Sequence, residues 1–184
     1  MSSPRYQTLK KTMNTLAFFS PLFFTFAAFI LTAIESSFFP NLGVPATFIP
    51  DLNLVLIIFL TSRPLGGRAL LAAAGISLTT SLFSSTPGIL QPLIFFSIFL
   101  IGCRLNQTIF MNHIFPQAVF AGIGKFLLTL FTGFSMGLSP LSPDILLKAA
   151  GGTATTILFA FPILFFLNTL QEHYLPTNPN GLSI

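Results

Sequence analysis

The sequence predicts an all-α fold: a polytopic membrane bundle of about six transmembrane helices, one domain over residues 1–184, with both termini cytoplasmic. Three observations lead there. Eight basic and four acidic residues leave charge at 7% of a chain that is 53% hydrophobic, whereas a soluble domain carries about 25% to keep its surface wet. Apolar segments, rich in the 24 phenylalanines, recur along the whole length. The basic residues gather on alternate connections between those segments, as the positive-inside rule requires. This composition excludes a soluble enzyme and a disordered linker. Basic residues that stand singly or in pairs, with no run, exclude nucleic acid as a partner and leave membrane lipid. Cys103, alone of its kind, excludes an internal disulfide and a cysteine-rich metal site.

The first segment runs from about Leu16 to Phe39, after a cytoplasmic stretch over 1–14 that holds Arg5, Lys10 and Lys11. It is too long for a signal-peptide core and reads as a retained helix. The second, Asp51 to Ser62, and the third, Ala69 to Phe83, flank Arg63-Pro64-Leu65-Gly66-Gly67-Arg68. The fourth covers Ile89 to Cys103 and stops at Arg104; the fifth covers Ile114 to Leu138 and the sixth Ile145 to Leu170. Pro176, Pro179 and Gly181 then mark 171–184 as a flexible cytoplasmic tail.

With the N-terminus inside, Arg5, Lys10, Lys11, Arg63, Arg68 and Arg104 all fall inside. The loops at Pro40 to Pro50, Ser84 to Gly88 and Ser139 to Pro143 are then external and carry no basic residue. A re-entrant hairpin of segments two and three would leave Arg63 and Arg68 in hydrocarbon at about 2.5–3.5 kcal/mol each, so both segments read as crossings.

Lipid is as apolar as leucine, so bundle helices associate by close packing at small residues four apart. The third segment has such a row in Ala69, Ala73, Ser77, Ser81 and Ser85. The fifth has Ala121, Lys125, Thr129, Gly133 and Gly137, and the sixth Gly152, Thr156 and Ala160. These rows read as intramolecular packing; one could also serve a second copy of the chain.

Few charges remain. Lys125 lies mid-segment, where an ionised amine is costly, and has two readings: a structural lysine paired inside the bundle, or a functional charge in a cavity. Glu35, about one turn inside the outer boundary, is its natural partner by polarity, though about 10 Å higher. Asp51 after Pro50, and Asp144 after Pro143, sit where helix N-caps sit. Lys148, four residues after Asp144, has the spacing of an intrahelical ion pair. His113 and His173 have no second metal ligand at helical spacing. Gly133-Phe134-Ser135-Met136-Gly137 matches G-x-S-x-G, but that motif needs a strand turning into a helix, and here it lies in an apolar helix. Paired carboxylates, phosphate loops and metal spacings are lacking, so no reaction and no cofactor is predicted.

Glu35 closing the first helix, a proline-bearing loop, Pro50-Asp51-Leu52-Asn53-Leu54 opening a short second helix, and Arg63-Pro64-Leu65-Gly66-Gly67-Arg68 ahead of the helix with Gly75 together resemble the bacterial rod shape-determining protein family MreD. The likeness covers about residues 31–104; the family commonly has an aspartate late in the third helix, where this chain has Thr79, Thr80 and Ser81. The resemblance implies a bacterial inner-membrane component of the cell-elongation machinery that serves peptidoglycan synthesis. Such a component binds and scaffolds beside MreC, the filament protein MreB, RodA and its class B penicillin-binding protein. It makes Phe48, Pro50, Asp51, Leu52 and Leu54 the partner-contact residues to examine. A second class also fits: the substrate-binding S subunits of energy-coupling-factor vitamin transporters, small basic six-helix proteins with an outward cavity that Glu35, Asp51 and Lys125 could line.

Overall fold

A computed structural model describes residues 4–45, 48–62, 67–83, 89–108, 113–139 and 142–174, with side chains from residue 21 to 170 of those ranges except 107 and 108. Residues 63–66 and 84–88, with Ser85 of the small-residue row, residues 175–184, and the side chains of Arg5, Lys10, Lys11, Glu172 and His173 lie outside the described residues. What is described is helical: α1 Pro4–Asn41, α2 Leu52–Thr61, α3 Gly67–Phe83, α4 Leu90–Thr108, α5 Ile114–Ser135 and α6 Pro143–Tyr174. The helical backbone reaches further than the sequence predicts at both ends, into the 1–14 segment and to residue 174 of the tail.

Pro21–Asn41, Ile114–Ser135 and Pro143–Leu170 are long and apolar enough to cross a membrane; Leu52–Thr61, Gly67–Phe83 and Leu90–Asn106 are apolar but shorter. The outer surface is apolar too, with Leu82, Ile89, Leu147 and Phe134 exposed, which suits a lipid solvent. Inside, α5 lies along α6 and α1 along α3. Two glycines mark these approaches: a Cβ on Gly122 would come within 2.5 Å of Ile157, and one on Gly75 would meet the Thr25 side chain.

The centre of the bundle is α2. Leu-Asn-Leu-Val-Leu-Ile-Ile-Phe-Leu-Thr has no polar face, and such a helix must be covered on every side. All ten residues are buried, and α1, α3, α4, α5 and α6 all pack on it. Its terminal carbonyls are satisfied locally, since Thr61 Oγ1 donates to Ile58 O (2.7 Å) and Ser62 Oγ to Phe59 O (2.8 Å). At about 15 Å, α2 covers about half of a hydrocarbon core.

Its start is sunk. The Asp51 N–H donates to Thr156 Oγ1 (3.1 Å), thirteen residues into α6 and so about 20 Å along it. The connection after α1, which the sequence reading places outside, therefore descends into the bundle. Whether the second segment spans fully is open in the sequence; here its helix starts well inside the bundle. It also leaves a space above α2.

Candidate functional site

That space is a cleft of about 550 Å³, lined by α1, the descending connection, the end of α3, the start of α4, the second half of α5 and the start of α6. On α1, Thr32 and Glu35 are one turn apart and share a face. The Leu52 N–H donates to Glu35 Oε1, so the carboxylate closes a helix donor that has no intrahelical acceptor. Asn53 Nδ2 donates to Thr32 Oγ1 (2.9 Å) and reaches Glu35 Oε2 (3.4 Å), which orients the amide with its nitrogen toward both oxygens.

Asp51 works in three directions. Its Oδ1 accepts from the Leu54 N–H at 3.0 Å, the N-cap predicted for it. Its Oδ2 lies 3.6 Å from Lys125 Nζ, with the two side chains 9% and 21% exposed. Its own N–H is held by Thr156. Lys125 is brought close because α5 approaches α2 at the preceding residue: a Cβ on Gly124 would stand 3.1 Å from Leu54.

Glu35, Asp51 and Lys125 therefore meet, and the pairing of Lys125 with Glu35 that the sequence leaves open is not the one formed. The partner of Lys125 is Asp51, and Glu35 serves the start of α2. Because α2 begins mid-bundle, Asp51 descends to the level of Lys125. Asp144 and Lys148 also depart from expectation. Both are exposed and make no ion pair with each other, and Lys148 lines the cleft.

Of the partner-contact residues, Pro50, Asp51, Leu52 and Leu54 are buried within the bundle. Phe48 is 41% exposed and lies against Gly151, where a Cβ would meet its ring at 2.7 Å. Among the packing residues, Ala73 and Ser77 are buried, Ser81 is half-buried, and Gly133 faces Ile145. Gly137 is corrected: it lies past the end of α5 at φ +74° and is exposed. There Leu138 N–H donates to Gly133 O (3.1 Å) and Gly137 N–H to Phe134 O (3.0 Å), a Schellman cap. The G-x-S-x-G string is thus a helix end, with Ser135 Oγ turned back to Thr132 O at 2.8 Å.

Sequence reasoning missed the polar frame of the site. Asn53 is the lone amide in an apolar helix, and that isolation was its signal. Thr156 and Thr129 were legible only as small residues on packing rows. Gln91, at the start of α4, gave no signal; its buried Oε1 has no hydrogen-bond partner among the described residues. No group of three histidine, cysteine, aspartate or glutamate side chains among the described residues could hold a metal ion. Compared with family models, curated proteins and solved structures, the chain finds no match in any of the three.

Proposed function

We propose that this chain is a multi-pass component of the bacterial inner membrane that scaffolds the cell-elongation machinery, as the MreD resemblance implies, and carries out no reaction itself. The observation that supports this best is where the resembling residues fall. Glu35, Pro50, Asp51 and Asn53 are scattered over two helices and a loop, yet they form one buried assembly that fixes the start of α2. Asp51 and Lys125 satisfy each other, so these charges hold the bundle and leave recognition to its surface. In this reading the six helices keep both termini cytoplasmic, with Arg68 and Arg104 at the inner face.

Partner contact then belongs to exposed groups beside the descending connection, Leu42 and Phe48, and to the helix faces. Co-purification of MreC from membranes tests this. A Leu42→Ser, Phe48→Ser double variant with unchanged thermal stability should lose most of the captured MreC. Capture equal to the native chain's would sink the proposal.

The cleft favours a second reading, the S subunit of an energy-coupling-factor transporter, because about 550 Å³ lies within the range of small-molecule pockets. Vitamin-dependent thermal stabilisation of the detergent-solubilised protein, with no capture of elongation partners, is what that reading predicts.

A further inference from the structure

Beside Lys125 and Lys148, the cleft wall carries acceptors, two of them hydroxyls whose own protons are already engaged. Thr80 Oγ1 donates to Ser77 O (2.9 Å) and Thr129 Oγ1 to Lys125 O (2.9 Å), so each hydroxyl offers only lone pairs to the space in front of it. Gln91 Oε1 is a buried acceptor without a donor among the described residues. Glu35 is held by N–H groups and makes no ion pair among the described residues, where Lys125 pairs with Asp51. A buried acceptor left unmatched costs about 1–3 kcal/mol, so an occupant that brings donors is favoured over one that brings acceptors.

We propose that the cleft binds a primary ammonium group, received by Glu35, Gln91 and the two threonine oxygens. A primary ammonium supplies three N–H donors and a positive charge to set against Glu35. Lys148 also lines the cleft, two turns nearer the start of α6 than Thr156 and so about 12 Å from it, with its side chain exposed. It can meet a phosphate on the same ligand. Phe83 and Leu138 add partly exposed apolar wall. Two sources share this chemistry: the headgroup of an aminophospholipid, and a soluble primary amine.

Native mass spectrometry of the delipidated full-length protein tests it, with phosphatidylethanolamine, phosphatidylcholine and phosphatidylglycerol of matched acyl chains as probes. Phosphatidylethanolamine should bind about tenfold more tightly than phosphatidylcholine, whose quaternary ammonium is a cation without N–H donors. Gln91→Leu removes an acceptor that has no donor among the described residues. It should narrow that preference while leaving the melting temperature unchanged. Glu35→Gln keeps an acceptor for Leu52 and should bring the two lipids level. Ethanolamine is the soluble arm: if it displaces the lipid, the amine alone suffices; if it does not while the preference stands, the lipid headgroup is the source. Equal binding of the two lipids by the native chain, tighter binding of phosphatidylglycerol, or a preference that survives both substitutions would overturn the proposal.

Discussion

Asp51 and Lys125 hold each other in a setting where either alone would be costly. Asp51→Ala removes the cap of α2, worth about 1 kcal/mol, and strands Lys125. Breaking a buried pair in this way costs about 3–5 kcal/mol in all. Thermal unfolding in detergent should show that loss, while Asp51→Asn, which keeps an oxygen for the Leu54 N–H, should show a smaller one. The sequence made the importance of Glu35, Asp51 and Lys125 legible, because charge is so scarce that each survivor stands out. Their pairing was not legible. It depends on the depth at which α2 begins, and no local pattern encodes that depth. Thr156 shows the same limit: along α6 it reads as one more small residue, and only the fold makes it the acceptor for Asp51.

At the scale of elements, the helices were visible in the sequence because apolar runs and their breakers are local. Pro50, Asp51 and Ser62 bound α2 in the sequence as they do in space. Gly137 misled because two glycines four apart read as a packing motif. The Ser139-Pro140 that follows is an equally local stop signal, and it describes the actual role. Two glycine substitutions separate the roles. Gly137→Ala forces a side chain into a left-handed backbone and should cost about 1–2 kcal/mol, although it touches nothing. Gly75→Ala meets Thr25 between α1 and α3 and should cost about 1–3 kcal/mol through overpacking. Gly133→Ala should cost less than Gly75→Ala, since the nearest atom is the flexible end of Ile145. Ranked melting temperatures check all three.

For the whole molecule, the sunken start of α2 links the parts. It draws the connection after α1 into the bundle, opens the cleft, and gathers charges from α1, α5 and the α2 cap into one place. The orientation proposed from the basic residues can be read with single cysteines in a Cys103→Ser background. A thiol reagent that does not cross membranes should label Leu42→Cys in intact cells and Arg68→Cys only after permeabilisation; the reverse pattern would invert the topology. The claim on which the scales converge is that Asp51 and Lys125 act as one unit holding the buried helix. A double-mutant cycle measures it most directly, with Asp51→Asn, Lys125→Met and the pair compared in detergent unfolding. The account predicts a double variant more stable than the sum of the two losses, by about 1 kcal/mol or more. Losses that simply add would contradict it.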